Sequence, residues 1–173
     1  MKQIYILIIF LICLSCNANK KNINFTEKIE ILQEKNIDTI CVVEFKNKQY
    51  KNDKIQLLEL YDTIKGMKSI EVINDAVVLN TIELPNSEDV KNFSIDSIFE
   101  TKKGFDILAS WGGGQYFYRR IFSFIYKNDR FYFYCIAREN YKENSNKEVS
   151  NIERIMPMIP LNKFDITYYI DND

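Results

Sequence analysis

The most regular pattern of apolar positions lies in residues 105–138, where three runs rich in Phe, Tyr and Ile are separated by two short connections. Runs of this composition, bounded by turn-forming residues, are typical of β-strands. The first connection contains Gly112-Gly113-Gly114. The second is Asn128-Asp129, a two-residue loop in which Asn accepts the positive φ that such turns require. The segment therefore predicts a three-stranded antiparallel meander.

The two-residue loop also predicts a register for the second hairpin. If Lys127 pairs with Arg130, then Phe124 lies opposite Phe133 on a side of the sheet that is rich in Phe. Cross-strand aromatic pairs of this kind each contribute about 0.2 to 1 kcal/mol. We therefore expect the Phe-rich side to face the core. The other side, rich in Tyr and Ile, is half apolar and is expected to be partly covered by a helix or a partner.

The same register places Arg119 directly across from Arg138. Like charges in opposing positions destabilise a strand pair, so the arrangement requires an explanation. Three are open: acidic side chains lie nearby, a bulge shifts the register, or Arg119, Arg120 and Arg138 form a site for an anionic partner.

A helical period is found in residues 54–65, where apolar residues recur at intervals of three and four positions with charged residues between them. This pattern predicts an amphipathic helix, and Gly66 is a typical residue to end it. We expect this helix to cover one face of the sheet. A second, short helix is predicted at residues 24–35, which begin with the spacing of a capping box.

The rest of the chain carries shorter signals. Ser150 and Glu153 have capping-box spacing and predict one or two helical turns that end at Pro157. The polar stretch before them predicts an exposed loop. Alternating or β-branched apolar runs predict strands at residues 38–45, 69–73, 76–80, 94–101 and 163–170. Together these elements predict an α+β fold, in which an antiparallel sheet of about six to eight strands carries one main helix on a face.

The N-terminus has the features of an export signal. Lys2 precedes an apolar run at residues 4–15, which is shorter than the roughly 20 residues of a membrane span and fits the core of a signal peptide. The run closes at Leu14-Ser15-Cys16, and polar residues follow to about position 23.

Leu14-Ser15-Cys16 at the end of such a core resembles the lipobox of bacterial lipoproteins. The resemblance implies that residues 1–15 are a removed signal peptide and that Cys16 is lipidated and acylated, with palmitate as a typical chain. It also implies the outer membrane, because Asn17 is not the Asp that holds such proteins at the inner membrane. Residues 16–23 would form a tether, and residues 24–173 a single domain facing the periplasm, with surface exposure left open.

Composition narrows the possible functions. A formal net charge of −1, without a basic stripe, argues against a nucleic-acid binder. The chain contains no histidine, which excludes Ser-His-Asp and Cys-His catalysis and removes a usual zinc ligand. Asp96 and Asp106 on facing strands form a possible acid–base pair, but surface carboxylates are far more often solvent-facing strand positions, and no spacing here selects a pair. We predict no enzyme activity, no cofactor and no metal site.

Cys41 and Cys135 are the two cysteines that lie beyond the signal peptide and the lipidation site. In an oxidising compartment they could pair. We favour two buried thiols that act as small apolar residues.

The glycine triplet holds three of the five glycines of the chain and has two interpretations. It can be a hairpin loop whose φ values glycine accepts at low cost, or a backbone nest that approaches a ligand. It is not a P-loop, because no Lys-Ser/Thr pair and no helix follow it. Trp111, Tyr116 and Tyr118 flank it and form a candidate aromatic rim for a protein or a glycan. The Ser-Trp-Gly-Gly-Gly-Gln-Tyr stretch is also similar to the Ser/Gly/Tyr loop of periplasmic lysozyme inhibitors.

These observations predict a non-catalytic lipoprotein domain that binds another macromolecule in the periplasm. An immunity protein or an inhibitor of a toxin or cell-wall hydrolase is the most concrete form, and a structural role in the envelope is an alternative. A small-ligand module is also open, and a deep pocket lined by Trp111 and tyrosines would favour it. The candidate partner-binding residues are Trp111, Gly112, Gly113, Gly114, Tyr116, Tyr118, Arg119 and Arg138.

Overall fold

A computed structural model describes residues 36–45, 55–74, 77–86, 88–142 and 149–171 of the chain. The predicted signal peptide at 1–15, the lipidation site Cys16, the tether at 16–23 and the helix predicted at 24–35 all lie outside the described residues. Among the described residues, no helix has both the length and the apolar character needed to cross a membrane.

The described residues form nine β-strands in two antiparallel sheets. The strands are β1 (Ile37–Glu44), β2 (Ile55–Asp62), β3 (Met67–Asn74), β4 (Val77–Glu83), β5 (Ser94–Glu100), β6 (Gly104–Gly113), β7 (Tyr116–Lys127), β8 (Arg130–Lys142) and β9 (Val149–Pro160). In sheet A, β1 to β4 pair in chain order, and in sheet B, β5 to β9 do the same. A 3-10 turn, η1 (Leu161–Lys163), and one short helical turn, α1 (Tyr168–Asp171), follow β9.

The predicted α+β fold is wrong, because the segment expected to be the main helix is a strand. Ile55–Asp62 is β2, which pairs with β1 on one side and β3 on the other. Leu57 is buried in the core between the sheets, and Leu58 is buried in a second apolar cluster on the opposite face. A strand buried on both faces carries a nearly continuous apolar run, which reproduces the broad stripe of an amphipathic helix. Gly66 lies in the turn to β3 with a φ of 67°.

The predictions for the C-terminal region are also wrong. The helical turns expected after Ser150 are part of β9, and the expected loop before them contains the end of β8. The strand expected at residues 163–170 is replaced by irregular chain and α1. Strand alternation would place Tyr168 toward the core, but it is exposed, and Tyr169 is buried in its place. Pro157 is tolerated within β9 because β9 is an edge strand of sheet B.

The remaining strand predictions are confirmed. Residues 38–45, 69–73, 76–80 and 94–101 correspond to β1, β3, β4 and β5, and the meander corresponds to β6, β7 and β8. Asn128 and Asp129 take φ values of 52° and 58°, as a two-residue hairpin loop with two positive φ values requires.

The core lies between the two sheets and is rich in Phe side chains from sheet B. Phe105, Phe122, Phe124 and Phe133 are fully buried. Phe105 stacks on Phe124 with 4.5 Å between ring centroids. Phe164, which follows η1, packs edge-on against Phe124 at 5.0 Å. The prediction that the Phe-rich side of the meander faces the core is confirmed.

A bulge in the β7–β8 pair corrects the predicted register. The pairs nearest the turn match the prediction, but the register shifts between Ser123 and Phe124. Beyond the shift, Arg119 lies across from Glu139 and not from Arg138. Because side chains alternate between faces, a shift of one residue also places Arg119 and Arg138 on opposite faces of the sheet. Of the three explanations considered for the arginines, the bulge is the correct one.

The two cysteines do not pair. Cys41 and Cys135 are both free and partly buried. Cys41 lies across from Glu59 in sheet A, whereas Cys135 lies across from Ser123 in sheet B. The prediction of unpaired thiols is confirmed, but both side chains are partly buried and not fully buried as we expected.

Candidate functional site

The β6–β7 hairpin places the glycine triplet at one end of sheet B. Gly112, Gly113 and Gly114 take φ values of 104°, 143° and 67°. A Cβ on Gly112 would lie 2.6 Å from the carbonyl oxygen of Tyr116, so a side chain there would push the two strands apart. The triplet is therefore a hairpin tip built from backbone conformations that glycine adopts at the lowest cost.

The loop before β5 fastens this hairpin tip. The backbone N–H of Gly112 donates to the carbonyl oxygen of Lys91 at 2.8 Å. The side-chain amide of Asn92 donates to the carbonyl oxygen of Gly112, also at 2.8 Å. We call this pair of hydrogen bonds the Asn92 clasp. It holds both backbone polar groups of Gly112.

Trp111 and Tyr118 form the inner base of the hairpin. Trp111 is 6% exposed, and its ring stacks on that of Tyr118 at 5.7 Å between centroids. The ring of Phe93 lies 6.4 Å from the indole, and the guanidinium carbon of Arg120 lies 5.0 Å from it. Side chains therefore fill the space around Trp111, which argues against a ligand pocket at this position.

Arg120 is a fully buried cation on the core-facing side of β7. Its Nη1 donates to the carbonyl oxygens of Arg119 and Glu139 at 2.9 and 3.2 Å, and to Oδ1 of Asn140 at 2.8 Å. Burial, and next the neighbouring charge of Arg138, lowers the pKa of Arg120 to about 10. The side chain stays protonated at neutral pH and serves as a structural cation beneath the hairpin.

Tyr116 and Phe117 are the exposed aromatic residues of the hairpin, at 49% and 40% of their surface. Phe117 lies directly across from Tyr141 of β8, with 5.9 Å between ring centroids. On its other side Phe117 faces Gly112, which has no side chain to cover the ring. The outer face of sheet B therefore presents a pair of partly exposed rings at this end.

Arg119 lies on the same outer face as this aromatic pair. Its Nε is 3.8 Å from Oδ2 of Asp96, a distance too long for a hydrogen bond. The other carboxylate oxygen of Asp96 accepts a hydrogen bond from Ser110 Oγ at 2.7 Å. Glu139 lies across from Arg119, and its carboxylate accepts a hydrogen bond from the hydroxyl of Tyr141 at 2.8 Å. The side chain of Arg119 is 40% exposed and is presented next to the rings. We call Phe117, Arg119 and Tyr141, together with the exposed Tyr116 at the end of the hairpin, the tip patch; Tyr116 lies on the opposite face of β7 from Phe117.

The three arginines of the predicted anionic site are not brought together. Arg138 lies across from Arg120 on the core-facing side and forms an ion pair with Glu153 of β9. Arg120 is buried. Of the three, Arg119 is the one whose side chain is exposed on the outer face.

Asp96 and Asp106, the possible acid–base pair, lie at different positions along the sheet. Asp96 is bonded to Ser110, whereas Asp106 lies across from Phe99 and Ser123. Ser110 and Asp106 are separated by four positions of β6, or roughly 13 Å at the usual rise per residue, which exceeds the carboxylate spacing of glycosidases. Burial raises the pKa of the Asp106 carboxyl, and its hydrogen bond with Ser123 opposes that rise.

Two surface clefts lie away from the tip patch. One of about 340 Å³ is lined in part by Asn80, Arg130, Phe131 and Leu161. Another of about 400 Å³ is lined in part by Glu83, Leu84, Asp89 and Phe164. Neither cleft contains Trp111 or a residue of the tip patch. In the part of the chain that the structure describes, no group of three or more His, Cys, Asp or Glu residues is placed to hold a metal ion.

Phe117, Tyr141 and Asn92 are site residues that the sequence alone did not single out. Phe117 lies between two tyrosines in the chain, and strand alternation, which places it on the opposite face from both, is the local signal that distinguishes it. Tyr141 falls in a stretch predicted to be a loop. Asn92 bonds to a residue 20 positions away, and no local signal identifies such a contact.

Comparison of the chain with protein-family models, with curated proteins and with solved structures finds no match in any of the three.

Proposed function

We propose that the protein is a lipid-anchored, non-catalytic domain that binds a protein partner in the periplasm through the tip patch. The observation that carries this proposal is the pair of aromatic rings, Phe117 and Tyr141, presented beside the partly exposed Arg119. Aromatic and arginine side chains are enriched among the few residues that dominate binding energy in protein interfaces. Their grouping on one small face therefore favours a protein partner.

The packing beneath the patch also supports this proposal. Trp111 stacks on Tyr118. The guanidinium of Arg120 lies against both rings and donates a hydrogen bond to Asn140. Groups that are held in place before association lose less conformational entropy when they bind. The tip patch has the rigid support that a recognition surface requires.

Support for the membrane anchor comes from the N-terminal residues. Leu14-Ser15-Cys16 favours lipidation of Cys16, and Asn17 favours the outer membrane. Two or three acyl chains on this cysteine would anchor the domain stably. Labelling with palmitate tests the anchor. We expect label on the wild-type chain and none on Cys16→Ala, and label that persists on the variant would contradict lipidation at this residue.

An inhibitor or immunity protein is the most concrete form of the proposal. Tyr116, at the end of a tight hairpin, is a convex group of the kind that fits a concave enzyme site, which favours a secreted hydrolase or toxin as partner. Ser110, in the stretch that is similar to lysozyme-inhibitor loops, is buried and bonded to Asp96, so its hydroxyl is not available to a partner. The small-ligand alternative has less support, because side chains fill the space around Trp111.

The test is recovery of a partner from envelope extract on the tagged chain, with Phe117→Ser and Phe99→Ser compared. The two phenylalanines are 40% and 41% exposed and lie on the same outer face, so their replacement should affect folding similarly. Phe99 lies in β5, away from the hairpin tip. We expect Phe117→Ser to weaken binding about tenfold or more, as loss of an interface anchor does, and Phe99→Ser to leave it unchanged.

Equal recovery by both variants would contradict the tip patch as the binding surface. Recovery of one stoichiometric hydrolase or toxin, lost on Phe117→Ser, would support the inhibitory form. A stoichiometric envelope component would support the structural form.

A further inference from the structure

The glycine triplet would leave the hairpin tip free to adopt many conformations, because glycine has the fewest steric restrictions on its backbone. The Asn92 clasp removes this freedom at Gly112, whose N–H and carbonyl oxygen are both hydrogen-bonded to the loop before β5. That loop also approaches the next residue closely, since a Cβ on Gly113 would lie 3.0 Å from Nδ2 of Asn92. The side chain of Asn92, which is not part of the tip patch, therefore restrains the glycine segment that leads into the patch.

We infer that Asn92 is a positioning residue, which holds the hairpin tip in the conformation in which Tyr116 and Phe117 bind. The inference rests on the proposed function of the tip patch. A loop that must be ordered at the moment of binding loses affinity by the cost of that ordering, and a loop ordered beforehand does not. Asn92 supplies this order when the domain folds.

Asn92 combines two properties that substitutions can separate. Its φ of 54° lies in the left-handed region, which Asn, Asp and Gly tolerate best. Its side-chain amide is the donor to Gly112. Asn92→Gly keeps the backbone conformation and removes the donor. Asn92→Asp keeps the side-chain size and places a carboxylate oxygen against the carbonyl oxygen of Gly112.

Asn128 is the matched control. It has a φ of 52° and lies in the β7–β8 turn, at the opposite end of β7 from the hairpin tip. Asn128→Gly makes the same chemical change at nearly the same φ and should have a similar effect on the unfolded chain. It leaves the Asn92 clasp intact.

Two measurements report on the clasp without any partner. One is amide hydrogen exchange at Gly112, and the other is acrylamide quenching of Trp111, the single tryptophan of the chain. In Asn92→Gly we expect exchange at Gly112 to rise about threefold to tenfold, as for loss of one ordinary hydrogen bond, with a larger rise in Asn92→Asp. Affinity for the protein that wild type recovers in a Phe117-dependent manner should fall by a similar factor. Asn128→Gly should change neither the exchange at Gly112 nor this affinity.

Unchanged exchange at Gly112 in both Asn92 variants would overturn the inference, because the clasp would then not restrain the tip. Faster exchange with unchanged affinity would overturn the positioning role. If the wild-type chain recovers no Phe117-dependent protein, the proposed function fails and the positioning role fails with it. The exchange measurement needs no partner, so these failures are distinguishable.

Discussion

Arg120 and Arg138 lie directly across from each other in the β7–β8 pair, on the face that packs toward the core. Two like charges in this relation destabilise a sheet unless other groups compensate. Arg138 forms an ion pair with Glu153. Arg120 donates to two backbone carbonyls and rests against the ring of Trp111. The bulge therefore moves the like-charge pair predicted for Arg119 to the neighbouring residue, where each cation has its own partners.

Truncation of Arg120 should destabilise the folded protein. Arg120→Ala removes a fully buried side chain and leaves its carbonyl acceptors in the core without that donor. We expect the free energy of unfolding to fall by about 2 to 4 kcal/mol, from the cavity and the unpaired polar groups together. Arg120→Met refills most of the volume without the charge and should cost less.

Urea unfolding followed by Trp111 fluorescence measures both Arg120 variants. Arg119→Ala is the control, because its partly exposed side chain should contribute no more than about 0.5 kcal/mol. An Arg120→Ala variant as stable as Arg119→Ala would contradict a structural role for the buried cation.

Phe124 should be among the most sensitive positions of the core. It is fully buried and its ring contacts those of Phe105, Phe133 and Phe164. We expect Phe124→Ala to lower the free energy of unfolding by about 3 to 5 kcal/mol, the usual cost of deleting a buried Phe. Phe99→Ala, at an exposed position, should cost far less. Similar denaturation midpoints for the two variants would be inconsistent with this core.

Glu59 predicts a pH-dependent contribution to stability. Its carboxyl is buried in β2 between Cys41 and Ile70 of the neighbouring strands. Burial raises its pKa above the ordinary value of 4.5, and the charge of Lys68 partly opposes that rise. Because the folded pKa is the higher one, the folded state binds the proton more tightly. The contribution of this protonation to the free energy of unfolding is fully present below pH 4.5 and is lost as the pH rises through the folded pKa.

Glu59→Gln removes this titration. We expect the variant to be more stable than wild type at about pH 7, and the difference to shrink as the pH falls to about 4. Guanidinium unfolding at several pH values measures it. Asp106, whose pKa burial also raises, is present in both proteins and cancels in the comparison. If the stability difference between Glu59→Gln and wild type grows as the pH falls, the predicted direction of the pH dependence is wrong.

Gly112→Ala should disturb the hairpin more than Gly114→Ala. A Cβ at Gly112, where φ is 104°, would lie 2.6 Å from a backbone oxygen, whereas Gly114 has a φ of 67° and nothing within 4 Å. We expect losses of about 3 and about 1 kcal/mol in the free energy of unfolding, from clash plus strain in the first variant and strain alone in the second. Equal shifts in the thermal midpoint would refute the close approach at Gly112.

Much of sheet B follows from signals that are local in the chain. The aromatic runs of β6 to β8, the Asn128-Asp129 loop and the glycine triplet each depend on residues next to one another, so composition and turn chemistry identify them. The side of the meander that carries Phe124 could also be assigned to the core, because the loop fixes the nearest pairs. The hairpin that bears the candidate site was therefore predictable.

The strand character of β2 and the register of the β7–β8 pair depended on contacts between distant parts of the chain. Ile55–Asp62 satisfies a helical period, and only the burial of Leu57 and Leu58 on opposite faces, by elements elsewhere in the sequence, makes it a strand. The bulge beside Phe124 is likewise a property of two paired strands, and no local pattern marks it. The extra residue is in β8, so the bulge turns Arg138 to the inner face, whereas Arg119 of β7 stays outside, because side chains alternate along a strand. Local sequence thus specified the hairpin and its glycines, and packing in three dimensions selected the side chains that it presents.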